Sequence, residues 1–203
     1  MKRGTFKKKT LNEVIAQQKT KRLTTGRIKR PRAIKKTKRK LKEHWKPPAW
    51  FMAIPTGSHG SNPIQKRLWK LTSDFVRIFD FETYGVCASC GKQIEHWQDG
   101  DCGHYKAWAV CNNYFKFNQM NLAYQCSNCN RLSDGVTGTN FGETLKKRRG
   151  ENILEKIEFY NNALHGGKLN DIIIVQMAQD LLVQFSQTII KPDYYEKVCE
   201  KIE

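Results

Sequence analysis

The segment from Cys87 to Asn130, CASCGKQIEHWQDGDCGHYKAWAVCNNYFKFNQMNLAYQCSNCN, contains the pattern that decides the fold of this chain. It begins and ends with Cys-x-x-Cys pairs, Cys87/Cys90 and Cys126/Cys129, which are separated by 35 residues. Two such pairs can bring four thiolates to one tetrahedral Zn²⁺, so we predict a zinc site here. Four cysteines leave no open coordination position, and the predicted zinc is therefore structural. Its binding would help to fold a segment that is too small to hold itself together.

Three further cysteines, Cys102, Cys111 and Cys199, have no partner at this spacing. We expect them to be packing residues, with Cys102 as an alternative metal ligand. The chain begins without the apolar segment of about 7–15 residues that a secretion signal needs, and no run reaches the ~18 apolar residues of a membrane span. We therefore expect a cytoplasmic protein with reduced cysteines and no membrane partner.

Positive charge is concentrated at the start of the chain. The net charge is +17, and residues 1–46, with 19 basic and 2 acidic side chains, account for all of it. Such a block repels itself and cannot bury its side chains, so we expect a largely disordered arm that binds a polyanion. A solubility or nuclear-localisation tail and an anionic membrane surface are alternatives, but nucleic acid fits best with the features downstream. The residues predicted to contact it are Lys29, Arg30, Arg32, Lys35, Lys36, Lys38, Arg39 and Lys40.

Helical patterns flank the cysteine-rich segment. Asn62 can cap a helix whose first turn contains Pro63, and apolar residues then recur at helical spacing until Gly85. Residues 141–164 are predicted to be helical, and Asn170 can cap a further helix. We expect these later helices to form a C-terminal hairpin that serves packing, with dimerisation as an alternative.

The residues between and after the two cysteine pairs resemble the phage NinG (Rap) recombination family. That pattern has a cysteine pair, Asp-x-Gly-His-Tyr, Phe-Asn-x-x-Asn and then Gln-Cys-x-x-Cys-Asn. The resemblance covers residues 69–149 approximately, and several residues in fixed order make it specific. The matching residues are Asp101, Gly103, His104, Tyr105, Phe117, Asn118, Asn121, Gln125, Cys126, Cys129 and Asn130.

The same segment is similar to the zinc-stabilised His-Asn-His (HNH) nuclease core, also called the ββα-metal fold. In that fold a β-hairpin carries the catalytic histidine and a helix carries the last metal ligand. The resemblance implies that His104 is the general base, that Asn121 braces the hairpin loop, and that Asn130 binds the catalytic cation. It also implies a DNA endonuclease that cuts Holliday junctions or other branched DNA in phage recombination, in the host cytoplasm. Symmetric cutting would require a homodimer.

The chemistry of phosphodiester hydrolysis suits these residues. A histidine with a pKa of ~6.5 can accept a proton from water at neutral pH. A hard cation, Mg²⁺ or Mn²⁺, prefers the oxygen ligands that Asn130 and Asp101 offer. Residues three apart in a regular strand point to opposite faces, so Asp101 and His104 converge only if the chain kinks, which Gly103 would permit. Asp99 is an alternative ligand.

Other roles stay open for each of these residues. His104 could be a structural histidine, Asp101 a turn-capping carboxylate, and Asn121 or Asn130 a turn or helix cap. Asn130 could cap a helix beginning near Arg131. At the level of function, the alternatives are a non-catalytic zinc module that binds nucleic acid and a protein that recruits recombination partners.

The prediction for the chain as a whole is an α+β protein. Its centre is a small zinc-stabilised ββα-metal (HNH-like) core with flanking helices, preceded by the basic arm and followed by the helical hairpin. The predicted divisions are residues 1–46 for the arm, 47–150 for the nuclease domain with its preceding helix, and 151–203 for the C-terminal helices.

Overall fold

The computed structural model describes residues 45–131, 140–163 and 169–202. The chain divides into two units, residues 1–46 and 47–203, and the fold below is that of the second unit. All the arm residues predicted to contact nucleic acid lie outside the described residues, as do residues 132–139. The predicted division at residue 150 stays a prediction.

Helices and a two-stranded sheet make up this unit, as expected for an α+β protein. The helices before the sheet are α1 (Ala49–Ala53) and α2 (Pro63–Tyr84), and the sheet consists of β1 (Gly100–His104) and β2 (Leu122–Cys126). The helices that follow are α3 (Ser127–Arg131), α4 (Phe141–Arg149), α5 (Ile153–Ala163), α6 (Asp171–Phe185) and α7 (Tyr195–Cys199). Three one-turn 3-10 helices cover Trp97–Asp99, Phe115–Phe117 and Gln119–Asn121. No helix in the described part of the chain combines the length and apolarity that crossing a bilayer requires.

Helix α2 begins and ends where the sequence predicts. The Asn62 side chain accepts a hydrogen bond from the Gln65 backbone N–H at 2.8 Å, and Pro63 occupies the first turn. Gly85 ends the helix in the left-handed region, with φ of 65°, which costs glycine little. The helix is therefore a rigid support of 22 residues against which the sheet packs.

The two strands pair antiparallel, and each face of the sheet covers a different hydrophobic cluster. Cys102 and Leu122 belong to a cluster with the α2 residues Leu68, Leu71 and Phe75, which extends to α6. On the opposite face, Ala123 packs in a second cluster with residues of α4 and α5, namely Phe141, Leu145, Ile153 and Ile157. The hairpin is thus fixed on both sides.

The chain does not kink at Gly103, so the condition under which Asp101 and His104 would converge is not met. The strand register runs without interruption from Gly100 opposite Cys126 to His104 opposite Leu122. Gly103 serves another purpose, because a Cβ atom there would lie 1.5 Å from Oε1 of Gln125. The glycine makes room for the Gln125 side chain, which donates a hydrogen bond to the Ser89 hydroxyl.

A buried carboxylate on α2 holds the middle of β2. Asp80 accepts a hydrogen bond from the Tyr124 backbone N–H at 2.9 Å and forms an ion pair with Arg148 of α4 at 3.1 Å. The Tyr124 carbonyl accepts a hydrogen bond from the Ala88 N–H at 2.8 Å. Burial raises the pKa of Asp80, while the bond from Tyr124 and the neighbouring arginines, Arg149 and Arg148, oppose that rise. These contacts join α2, β2 and α4.

The helices after β2 differ from the prediction. The helix predicted over residues 141–164 is two helices, because Gly150, with φ of 100°, separates α4 from α5. Asn170 caps α6 by accepting a hydrogen bond from the Ile173 N–H at 2.9 Å, as predicted. The expected C-terminal hairpin is replaced by separate packing: α6 lies along α2, while α5 packs with α4.

Candidate metal centre and active site

The four cysteines predicted to bind zinc lie together. The Sγ atoms of Cys87, Cys90, Cys126 and Cys129 are all within 4.8 Å of one another, and those of Cys90 and Cys126 are 3.9 Å apart. A tetrahedral site with Zn–S bonds of about 2.3 Å requires sulfur atoms about 3.8 Å apart. This set, the cysteine cluster, could therefore hold a structural metal ion such as zinc.

Backbone N–H groups point at one sulfur of the cysteine cluster. Cys87 Sγ accepts hydrogen bonds from the N–H groups of Cys126 at 3.3 Å and Ser89 at 3.4 Å. Burial alone would raise the pKa of Cys87, but these donors, together with the N–H of Cys90, outweigh burial and lower the pKa to about 7. Such a thiol is readily available as the thiolate that a metal requires.

The remaining cysteines lie apart from the cysteine cluster. Cys102 is buried between the sheet and α2, where burial raises its pKa, so its thiol is a packing residue. Cys111 donates a hydrogen bond to the Lys106 carbonyl at 3.0 Å. Cys199 lies in α7. None of the three belongs to the metal-ligating group found among the described residues.

A metal ion in the cysteine cluster would join three pieces of backbone: the turn before β1, the end of β2 and α3. Cys126 is the last residue of β2, and Cys129 lies within α3. Asn130 follows in the same helix, which begins at Ser127. It therefore lies inside α3 and does not cap a helix near Arg131.

Asp101 and Asn130 lie together. The Asn130 Nδ2 donates a hydrogen bond of 3.3 Å to Asp101 Oδ2, and both side chains are half-buried. Together they line a cleft of about 220 Å³ whose other wall is α2, here called the α2 cleft. Asp99 lies in the preceding 3-10 helix, is exposed, and does not line the α2 cleft. The structure therefore places Asp101, and not Asp99, beside Asn130.

The donor set of this pair suits a hard divalent cation. Rotating the Asn130 amide by half a turn exchanges Nδ2 for Oδ1, so that a carboxylate and an amide oxygen face the same point. Mg²⁺ commonly uses one or two protein oxygens and keeps several waters or substrate phosphate oxygens as its other ligands. The α2 cleft has space for them.

The His104 ring is fixed by three neighbours. Its Nε2 lies 3.0 Å from the Lys116 carbonyl oxygen, and the ring stacks on Trp69 with centroids 5.0 Å apart and meets Trp108 edge-on at 5.4 Å. A carbonyl can only accept a hydrogen bond, so Nε2 carries the proton in the neutral ring. The unprotonated nitrogen of His104 is then Nδ1, which is the atom able to take a proton.

The surroundings of His104 favour its neutral form. Burial is the main cause that lowers its pKa to about 4; the hydrogen bond to the Lys116 carbonyl opposes this, and the nearby charges of His59 and Lys116 lower the pKa further. The imidazole is therefore unprotonated at neutral pH, although it is a weaker base than a histidine in water.

Asn121 holds the loop that follows β1. Its fully buried amide accepts a hydrogen bond from the Lys106 N–H at 2.7 Å and donates one to the Lys106 carbonyl at 3.0 Å. A third contact, at 3.3 Å, reaches Cys111 Sγ. Lys106 lies two residues after His104, and Asn121 directly precedes β2. The Asn121 side chain therefore ties the beginning of the loop to its end. Its part in any reaction stays a prediction.

The structure brings Asp101 to Asn130 but does not join either residue to His104 by a hydrogen bond within the described part of the chain. Asp101 and His104 lie three positions apart in an unkinked strand, so their side chains leave it on opposite faces. Trp69 connects the two regions, since it lines the α2 cleft and stacks on His104.

Residues of the α2 cleft that sequence reasoning missed come from before the cysteine cluster. His59 lines it, with its ring 5.2 Å from Trp69 and its Nδ1 2.7 Å from the Ser58 hydroxyl. Lys70 and Arg77 line it from α2. The sequence pattern that could have indicated Lys70 and Arg77 is their spacing of seven residues, which places them on one face of a helix.

Comparison with known proteins gives one family. A model described as bacteriophage lambda NinG protein matches residues 2–184. No curated protein and no solved structure matches the chain. The match includes the cysteine cluster, the α2 cleft and His104, and ends before α7.

Proposed function

This chain belongs to the bacteriophage lambda NinG family, which implies a role related to phage recombination, and we propose that it is a metal-dependent endonuclease that hydrolyses phosphodiester bonds in branched DNA. The observation that carries the proposal is His104. Its Nε2 is engaged by a carbonyl, its Nδ1 is available, and burial keeps it neutral. The ring also stacks on Trp69, which lines the α2 cleft that holds the Asp101–Asn130 pair.

In the proposed reaction, His104 acts as the general base. A water molecule attacks the scissile phosphorus and transfers a proton to Nδ1 as the new P–O bond forms. The bond between phosphorus and the leaving oxygen breaks, and that oxygen takes up a proton from a solvent water molecule to become a hydroxyl. The Lys116 carbonyl accepts a hydrogen bond from the Nε2–H group throughout the reaction and thereby stabilises the imidazolium that forms.

Asp101 and Asn130 would hold the catalytic cation, Mg²⁺ or Mn²⁺. When bound, such an ion polarises the phosphate and stabilises the departing oxygen. Asn121 contributes by fixing the loop between the strands, so that the His104 ring keeps its position against Trp69 and Trp108. A metal ion bound by the cysteine cluster would hold α3, and with it Asn130, near β1.

The choice of branched DNA as the substrate in this proposal rests on the recombination-related role of the family rather than on the chemistry of the site. The physical chemistry of the site alone supports a phosphodiesterase that acts on nucleic acid. Symmetric cutting of a four-way junction would use two copies of the active site, so a homodimer belongs to this proposal. A monomeric mass together with full junction-cutting activity would contradict that part of it.

A non-catalytic zinc module that binds nucleic acid is the main alternative. It accounts for the cysteine cluster and for the basic arm. It gives no role to the protonation state of His104 or to the pairing of Asp101 with Asn130.

The deciding experiment is a cleavage assay on matched duplex, flap and four-way DNA, with and without Mg²⁺ or Mn²⁺. We expect wild-type protein to cut a branched substrate only with the divalent ion. His104→Ala should lower cleavage by a factor on the order of 10²–10⁴, while DNA binding and bound zinc stay unchanged. His96→Ala, which changes an exposed histidine, serves as the control.

Two results would contradict the proposal. Undiminished cutting by His104→Ala would remove the assigned base. Absence of cleavage by the wild type on every substrate, despite tight binding, would favour the non-catalytic module. A protein that only recruits a recombination partner would show neither cleavage nor preferential binding to branched DNA.

A further inference from the structure

One wall of the α2 cleft carries two positive charges that the proposed reaction does not use. Lys70 and Arg77 lie about two turns apart on the same face of α2 and line the α2 cleft together with Asp101 and Asn130. The Lys70 side chain keeps 31 % of its surface exposed, whereas Arg77 keeps 16 %. Both cations therefore border the space in which the proposed substrate would lie.

A single buried carboxylate orients both cations. Asp74, which has no exposed surface, accepts from Lys70 Nζ at 2.7 Å through one oxygen and from Arg77 Nη2 at 2.5 Å through the other. Two positive charges against one negative charge leave this wall with a net charge of +1. Lys70 uses one of its three N–H donors on Asp74, so the others remain available to a ligand.

Further contacts hold Arg77 in place. Its Nη1 donates a hydrogen bond to the Gly100 carbonyl at 3.2 Å, and its guanidinium lies 4.9 Å from the centre of the Trp97 ring. Gly100 is the first residue of β1 and precedes Asp101 directly. The position of the guanidinium is therefore coupled to the strand that carries the proposed cation ligand.

Asp74 is in turn fixed by a residue near the end of the chain. The Tyr194 hydroxyl donates a hydrogen bond of 2.7 Å to the same Asp74 oxygen that Lys70 contacts, and the Lys70 ammonium lies 5.5 Å from the Tyr194 ring centre. Tyr194 is buried and immediately precedes α7. It lies beyond residue 184, where the match to the family ends.

We propose that Lys70 and Arg77 bind a phosphate of the nucleic-acid strand in the α2 cleft, and that Asp74 and Tyr194 position them for it. The proposal rests on the proposed function in taking the α2 cleft as the substrate site. An ammonium and a guanidinium are the side chains that recognise phosphate oxygens, and a rigidly held guanidinium loses little entropy on binding. The segment before α7 thus contributes to substrate binding although it does not touch the substrate.

Direct binding measurements test the two cations without relying on cleavage. Full-length protein is titrated with fluorescent four-way DNA, without added divalent ions, over a series of salt concentrations. Lys70→Gln should weaken binding by about three- to tenfold and lower the slope of log K against log[salt] by about 0.9, as expected for one lost phosphate contact. Lys70→Arg should restore both quantities.

The matched control for this charge change is Lys156→Gln, an exposed position on α5 away from the α2 cleft. It should leave both affinity and slope unchanged. The proposal would be overturned if Lys70→Gln had the same DNA affinity and salt slope as Lys156→Gln or the wild type. If the wild type binds DNA and Lys70→Gln shows the expected loss, but no variant cleaves, the binding site survives while the nuclease assignment fails.

The positioning role of Tyr194 needs a separate comparison. Tyr194→Phe removes the hydrogen bond to Asp74, and Tyr195→Phe removes the neighbouring hydroxyl, for which no contact with Asp74 is found. We expect Tyr194→Phe to weaken DNA binding by about threefold, which corresponds to roughly half of the 1.4 kcal/mol per tenfold change, and to lower the salt slope. Tyr195→Phe should change neither. A lower Tm for Tyr194→Phe with an unchanged slope and affinity would show a structural role only and overturn the positioning role.

Discussion

The cysteine cluster and the α2 cleft use the same hairpin, but they are assembled in different ways. The cysteine cluster takes its four sulfurs from two short motifs, one before β1 and one that begins at the last residue of β2. The α2 cleft combines α2, β1 and α3, and one of its supports, Tyr194, comes from near the end of the chain. The cysteine cluster is defined by local sequence spacing, and the α2 cleft by long-range packing.

This difference predicts how each region responds to a mutation. Loss of one sulfur would prevent the cysteine cluster from holding a metal ion and would affect every segment that such an ion connects. Loss of one side chain from the α2 cleft leaves the fold in place and changes only binding or chemistry. The predictions below test that contrast, beginning with the largest effect.

Replacing Cys126 by Ser should have the largest effect. Structural zinc contributes an apparent ~10–16 kcal/mol in small zinc modules, whereas a whole domain is stable by only ~5–15 kcal/mol. We expect loss of bound zinc, measured by mass spectrometry, and loss of the cooperative thermal transition, measured by circular dichroism. Cys199→Ser, which lies outside the cysteine cluster, should keep both. A zinc-loaded, normally melting Cys126→Ser protein would show that the cysteine cluster does not hold the structure together.

Replacing Asp101 by Asn should act on the α2 cleft alone. We expect the rate of cleavage to fall by tenfold or more, equivalent to about 1.4 kcal/mol per tenfold, and the Mg²⁺ concentration needed for half-maximal rate to rise. Zinc content and Tm should not change. Asp99→Asn removes the same charge two residues away, outside the α2 cleft, and should retain most of the activity. A larger loss with Asp99→Asn would reassign the ligand.

His104 should become protonated only at low pH. Its pKa of about 4 lies below the ~6.5 of an unfolded chain, so the unfolded state binds the proton first as pH falls. The contribution of His104 to stability is therefore complete above pH ~6.5 and is lost as the pH falls toward 4. Imidazole NMR signals should show the neutral ring with a proton on Nε2 at pH 6. Half-protonation near pH 6.5 would contradict the burial argument.

The smallest expected effect is that of Gly103→Ala. The added methyl group must displace the Gln125 side chain, which costs about 1–3 kcal/mol in an overpacked site. Chemical denaturation should show this loss while zinc stays bound. The double variant Gly103→Ala/Gln125→Ala should recover part of the stability, because the obstructing side chain is gone. Destabilisation that is simply additive in the double variant would point to the backbone of β1 instead.

Features set by local spacing were predictable from sequence. The cysteine cluster follows from two Cys-x-x-Cys pairs, and the start of α2 follows from Asn62 and Pro63. Gly150 was not recognised as a helix end, because the apolar residues on either side continue the same pattern. Its positive φ of 100° separates α4 from α5.

Features set by tertiary packing were not predictable. His59, Lys70 and Arg77 precede the cysteine cluster by 10 or more positions, and nothing in their own neighbourhood shows that they face Asp101. Glycine at position 103 would permit a kink, but the reason found for it, space for the Gln125 side chain, depends on strand register and tertiary packing. The burial that lowers the pKa of His104 likewise arises from Trp69 and Trp108, which are remote or loop residues.

The two contacts at Tyr124 have a consequence for association between molecules. A two-stranded ribbon offers its outer backbone groups to any extended peptide, and such edges lead to aggregation when they are left open. At the middle of β2 the outward N–H is taken by Asp80 and the outward carbonyl by Ala88, so a third strand cannot add there. A carboxylate on a helix thus helps to close the β2 edge of the ribbon to strand addition.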